Sequence, residues 1–137
     1  MNLALSRAFV QINDPDEAIA FYRDALGLEV LGDVAKDAFR WITVGAVGQP
    51  GVEIVLTNYL AGNPADADAI AALIAKGALT AVHFRSDDVD ATFERLREAG
   101  AEIVHEPTDE SWGPRGGVVR DPSGNLIRID QPPAAGS

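Results

Sequence analysis

RAFVQINDPDEAIAFYRDALGLEV, Arg7 to Val30, is answered later in the chain by AVHFRSDDVDATFERLREAGAEIV, Ala81 to Val104. Each stretch reads as a strand, an Asp-capped helix, a glycine stop and a second strand. Asp14 matches Asp88, Asp16 matches Asp90, Arg23 matches Arg97 and Ala25 matches Ala99, all at an offset of 74. One residue slips before the stops, Gly27 and Gly100. A period that long, used only twice, is no solenoid repeat and marks a duplicated module.

The helices have local causes. Asp14 can cap the first, Pro15 suits its first turn and Glu17 completes a capping box. Ala18, Ile19, Tyr22 and Leu26 then share one face at helical spacing. In the second module Asp88 caps, and Val89, Phe93 and Leu96 form the apolar stripe. Between the modules, Asp37–Gly45 and Gly51–Thr57 read as strands joined by the turn-forming AVGQP. A connecting helix follows at 63–77, with Asn63 as cap, Pro64 at its first position, Ile70, Leu73 and Ile74 packing, and Gly77 as stop. GAEIVHEP, an extended SWGPRGGVVRD, the turn DPSGN and a last strand complete the second unit. The order is β-α-β-β-β, helix, β-α-β-β-β. One α+β domain over 1–137 is expected, with modules at 4–57 and 79–131 and a disordered tail at 132–137.

Composition narrows the function. Hydrophobic residues make up 47% and charged residues 23%, ordinary for a globular chain of 137 residues. No apolar run approaches the length of a membrane span. The start, MNLALSRAF, lacks the basic-then-apolar plan of a secretory signal, so the cytoplasm is the expected compartment. With no cysteine, disulfides, thiolate catalysis and sulfur-based metal sites are excluded. A net charge of −10 repels nucleic acid and anionic membrane, leaving a small molecule or a protein as partner. No G-x-S-x-G and no phosphate-cradling loop is present, since GPRGG precedes a strand rather than a helix. The acids at the helix starts, Asp14, Asp16, Asp88 and Asp90, read as caps and dipole partners.

The duplication, with FYRDALGLEV early and DDVDATFERLREAGAEIV followed by RDPSGN late, resembles the vicinal oxygen chelate superfamily. That group includes glyoxalase I, extradiol dioxygenases, fosfomycin-resistance enzymes and bleomycin-resistance-type binding proteins. The resemblance covers residues about 4 to 131. It implies two βαβββ modules forming curled mixed sheets around a cavity, commonly completed by a homodimer, either domain-swapped or side by side. The fold does not by itself choose an activity.

The resemblance also implies four metal-ligand positions, which here are Arg7, Glu53, Ala81 and Arg128. Arginine stays protonated and cannot donate to a metal, and alanine has no donor atom. No metal and no other cofactor is therefore expected. Glu53, His83 and Asp130 can share the cavity, with His105 as the other histidine, but they lack metal-ligand spacing. A hydrogen-bonding histidine is the simpler reading. If the four positions converge, Arg7 and Arg128 lie near Glu53. The spare guanidinium then meets either that carboxylate alone or a ligand's carbonyl, phenolate or carboxylate.

Strand alternation extends the lining. Phe9 and Gln11 share a face with Arg7; His83 and Arg85 share one with Ala81; Val55 shares one with Glu53. In the last strand Leu126, Arg128 and Asp130 face one way, and Ile127 and Ile129 the other. Trp41, Phe39, Tyr59 and Trp112 are candidate walls for a planar ligand, although for Trp41 core packing is the preferred reading. Segments Leu31–Lys36, Tyr59–Gly62 and Glu110–Gly117 are expected to be loops that shape the cavity. The expected function is metal-free sequestration of a bulky, partly aromatic natural product or antibiotic. The alternatives are a metal-independent enzyme using Glu53 or His83 as general base, and a glyoxalase- or dioxygenase-like metalloenzyme.

Overall fold

The computed structural model describes residues 2–37, 39–58 and 64–133. The expected cap Asn63, the wall candidate Tyr59 and residues 134–137 of the tail lie outside the described residues. The first module runs β1 (Arg7–Gln11), α1 (Pro15–Ile19) continuing as a π-helical turn (Ala20–Ala25), β2 (Glu29–Lys36), β3 (Phe39–Gly45) and β4 (Glu53–Thr57). Helix α2 (Pro64–Ala75) connects it to β5 (Thr80–Arg85), α3 (Val89–Glu98), β6 (Glu102–Asp109), β7 (Arg115–Arg120) and β8 (Leu126–Gln131). The architecture is α+β. Each module forms a four-stranded mixed sheet, ordered β1-β4-β3-β2 and β5-β8-β7-β6. The β1–β4 and β5–β8 pairs are parallel, and the remaining pairs are antiparallel.

Both helix caps form. The Glu17 amide donates to Asp14 Oδ1 at 3.0 Å, and the Ala91 amide donates to Asp88 Oδ1 at 3.1 Å. The one-residue slip between the repeats has a physical form. In the first helix the Leu26 amide reaches back five residues to the Phe21 carbonyl, so the extra residue is absorbed as a π turn. That widening rotates the buried stripe. Ala18, Phe21, Tyr22 and Ala25 are buried, whereas Ile19 and Leu26, expected on the inner face, are only half-buried. The regular α3 buries Val89, Phe93 and Leu96 as its spacing predicts.

Other expectations shift. Leu31–Lys36, expected as a loop, extends β2, whose register slips between Val30 and Gly32. Asp37, expected in a strand, instead makes the β2–β3 turn with φ 56°, a left-handed conformation that aspartate tolerates. Arg115–Gly117, expected as loop, already belongs to β7. In α2, Ile74 packs fully, but Leu73 is 41% exposed.

The core-facing rows of both sheets, with residues from both module helices, form one cluster. It joins Val10, Ile42, Leu56, Phe21 and Tyr22 of the first module to Val89, Phe93, Leu96, Ile127 and Ile129 of the second. Each fully buried aliphatic or aromatic side chain contributes about 1.5–3 kcal/mol. A buried polar knot ties the seam. Asp121 Oδ1 accepts from the amides of Ser123, Gly124 and Asn125, while Oδ2 accepts from the Tyr22 hydroxyl at 2.6 Å and Asn125 Nδ2 at 3.0 Å. Asn125 Nδ2 also donates to the Gln11 carbonyl, and the Asn13 amide donates to Ser123 Oγ. Gly124, at φ +117°, lies so close to the Ile74 carbonyl that a Cβ would collide with it. The DPSGN turn is thus an intermodule staple. Among the described residues, no helix is long and apolar enough to cross a membrane.

Candidate functional site

Because the shared cluster takes one face of each sheet, the opposite faces remain for function. On the first sheet, register places Arg7 beside Glu53, Phe9 beside Val55, and Gln11 and Trp41 on either side of Thr57. Arg7 Nη2 donates to Glu53 Oε2 at 3.1 Å. Phe9 meets Trp41 edge to face, with ring centroids 5.2 Å apart. Trp41 therefore belongs to the outer aromatic layer rather than the core. Val55 is fully buried yet outside the core cluster; on this outer face it lies between Phe9 and Thr43. Toward the β2–β3 turn, Val34, Lys36, Phe39 and Trp41 border a cleft of about 630 Å³. Phe9, Val34 and Phe39 remain exposed.

The second sheet carries a different surface. His83 lies beside Arg128, and Arg85 beside Asp130. Across the strand, Val118 and Gly116 flank the same pair. Arg128 Nη2 donates to Glu110 Oε1 at 3.3 Å, and its Nε lies 2.8 Å from Asp130 Oδ1. Its guanidinium also sits over the Trp112 ring, 5.4 Å from the centroid, while Trp112 itself is 67% exposed. The Nε contact is an ion pair without hydrogen-bond direction, so Asp130 Oδ1 is buried with no donor aimed at it. At the start of β7, Arg115 bonds Asp90 and Asp109, and its guanidinium holds the Asp90 carboxyl below its ordinary range.

Of the residues named from the sequence, the structure gathers Arg7, Phe9, Gln11, Phe39, Trp41, Glu53 and Val55 on one sheet. It gathers His83, Arg85, Trp112 and Arg128 on the other. Within one chain, the expected convergence of Arg7 and Arg128 on Glu53 is not formed. Arg7 alone pairs with Glu53, and Arg128 is matched by Glu110 and Asp130. Within one chain each guanidinium has a carboxylate partner. Ala81 also departs from the expected row. A bulge between Thr80 and His83 breaks the alternation, and both Ala81 and Val82 pack against the core. These positions do not fit a divalent metal: Glu53 is held by an arginine, Ala81 has no donor, and Arg128 brings a cation. Among the described residues, no group of three or more potential ligands is assembled elsewhere.

Glu110 and the aliphatic shoulder of Val34 were not legible as site residues. Glu110 sits in a loop that periodicity does not address, and Val34 in a stretch read as irregular. A second cleft, of about 760 Å³, lies at the module seam between Phe21, Asp24, Arg120 and the Asp121–Gly124 turn. It contains none of the predicted site residues.

Paired βαβββ modules, each forming a four-stranded mixed sheet, define a glyoxalase-like fold. Residues 4–129 match the Glyoxalase/Bleomycin resistance protein/Dioxygenase superfamily, and the chain belongs to it. It is similar in structure to UcmS2, with TM-score 0.86 and 35% identity over 95% of this chain and 98% of that one. It is also similar to TnmS3, an antibiotic binding protein from Streptomyces sp. CB03234, with TM-score 0.73 and 29% identity over 96% and 97% of the two chains. In sequence it is 34% identical to YurT of Bacillus subtilis (strain 168) over 96% of this chain and 99% of that protein.

Proposed function

We propose that the protein binds and sequesters a bulky, partly aromatic small molecule, of the antibiotic or natural-product kind, without changing it. The observation that carries this reading is the pairing of surfaces. An outer face built on Phe9, Phe39 and Trp41 has exposed aromatic area, and a second face offers the open ring of Trp112 beside a polar cluster. Such mixed walls bind by burying apolar area and orient a ligand by a few polar groups. The similarity to an antibiotic binding protein, TnmS3, supports the same reading.

The two faces are not joined within one chain by any hydrogen bond or ion pair among the described residues. In this reading a cavity closed on both sides takes the first sheet of one copy and the second sheet of another, in a homodimer. Binding is tested by titrating aromatic antibiotics while following tryptophan fluorescence, then recovering the ligand for mass spectrometry. Saturable quenching with unmodified ligand is expected, and turnover overturns sequestration. Trp41→Ala and Trp112→Ala should each weaken binding by roughly tenfold. Mixing equal amounts of the two variants and re-forming dimers should restore about a quarter of the sites, because about half of the dimers are then mixed and one of the two composite cavities in each is intact. No restoration would place each cavity within a single chain.

A further inference from the structure

We propose that the cleft beside the β2–β3 turn takes planar aromatic molecules bearing an anionic group at one edge, a carboxylate, sulfonate or phenolate, and that Lys36 receives that group. This rests on the binding function proposed above and names its ligand class.

The cleft is one side of a hairpin. Val34 stands opposite Trp41 and Lys36 opposite Phe39, so these four side chains share a face of β2 and β3. They border an open volume of about 630 Å³, room for a system of several fused rings. Val34 and Phe39 are exposed there, and Phe9 meets the Trp41 ring edge to face and braces it.

Charge is sorted between the two sides of that hairpin. Asp33 and Arg40 alternate with the aromatic rows and lie on the side of the buried Ile42. There Arg40 is committed to carboxylates. Its Nε donates to Asp33 Oδ1 at 3.0 Å and its Nη2 to Asp33 Oδ2 at 2.6 Å, while Nη1 lies 3.5 Å from Asp16 Oδ1. Lys36 is the cation left on the aromatic side. It is exposed, lines the cleft, and among the described residues its ammonium has no hydrogen-bond or ion-pair partner. Asp37 also borders the cleft, but it stands in the turn past the paired rows, with φ 56° and no ion pair to Lys36. A lysine ammonium is a compact charge with three rotatable donors on a flexible stem, suited to an oxyanion at the edge of a ring stacked on Phe39 and Trp41. A cationic ligand in the same place meets a like charge. Because β2 is an edge strand, a lysine there also discourages pairing between sheets, a role that needs no ligand.

The test titrates three fluorescent probes of one ring system into the wild-type protein: pyrene-1-carboxylate, 1-pyrenemethanol and 1-pyrenemethylamine. The carboxylate should bind roughly fivefold more tightly than the alcohol, with the amine weakest, and the difference should shrink at high salt. Lys36→Gln should remove the carboxylate's advantage and leave the affinity for the alcohol unchanged, which also shows that the variant is folded. Lys36→Arg should keep the advantage. Equal affinities for carboxylate and alcohol in the wild type, or an advantage that survives in Lys36→Gln, overturn the role of Lys36 and leave the aromatic cleft standing. Tightest binding by the amine, lost in Asp37→Asn, overturns it in favour of a cation held at the turn. Carboxylate binding unchanged in Trp41→Ala would place the probe outside this cleft and overturn the proposal as well. If none of the three probes binds, the aromatic-pocket reading fails with it.

Discussion

The two modules share a plan and differ in what they present. Their caps, glycine stops and core rows correspond, and both sheets have the same strand order. Yet the first turns outward an aromatic layer with one ion pair, and the second a charged cluster under a single exposed tryptophan. Their helices differ too, one carrying a π turn and the other regular throughout. Core rows answer to packing density, which tolerates little change. Outer rows answer only to what they bind, so a duplicated unit can diverge there without losing its fold.

The staple between the modules should give the largest effect. Asp121→Ala leaves three amides, the Tyr22 hydroxyl and Asn125 Nδ2 short of an acceptor. At about 1–3 kcal/mol for each unsatisfied donor, the loss should exceed about 4 kcal/mol in chemical denaturation. A loss under about 1 kcal/mol would mean that the modules do not depend on this turn.

The repeat itself can be broken next. Ile19 and Phe93 stand at matched positions, but Phe93 is 1% exposed while Ile19 is half-buried beside the π turn. Phe93→Ala should cost roughly 3–5 kcal/mol. Ile19→Ala should cost only about 1–2 kcal/mol, following its smaller burial. Equal losses in denaturant unfolding would contradict the rotated stripe.

Tyr22→Phe is expected to cost roughly 1.5–3 kcal/mol, the worth of one hydrogen bond to a charged acceptor. It also carries a pH signature. Burial, and then the Asp121 charge, raise the Tyr22 phenol well above its ordinary value. The folded state keeps the proton that the unfolded state releases. That contribution is complete below about pH 10, the unfolded phenol pKa, and is lost as pH rises from there towards the folded value. Melting curves of Tyr22→Phe should therefore fall less steeply above about pH 10 than those of the wild type.

The smallest effect should come from Arg115→Ala. Its guanidinium depresses the Asp90 pKa, so the pair stabilises the fold above the unfolded carboxylate range and loses that contribution as pH falls through the folded value. Both groups are solvated, and salt screens the pair. Wild type and variant should converge in melting temperature at low pH and at high salt. A difference that persists in both would point to a packing role for Arg115 instead.

Much of the fold was legible in the chain because its causes are local. Asp14 and Asp88 cap, Gly27 and Gly100 stop, and alternation puts Ile127 and Ile129 inward and Arg128 outward. The slipped residue before Gly27 was visible as a count, though not as a π turn. That form arises because Phe21 and Tyr22, adjacent in sequence, are both buried, with Tyr22 also reaching Asp121 across the seam. The bulge that turns Ala81 into the core was hidden for the same reason, since alternation assumes an unbroken ladder.

By itself, then, the sequence determined the duplicated βαβββ plan, the membership of Arg7, Phe9, Glu53 and Arg128 in shared strand rows and, through the resemblance, the lack of metal donors at three of the four implied positions. Tertiary structure decided the partners. Arg128 answers to Glu110 and Asp130 rather than Glu53, because ion pairing depends on which sheet and loop meet in space. Residue type and period are local properties and can be read along a chain. A charge's neighbour 18 residues away is set by packing, and only the folded molecule shows it.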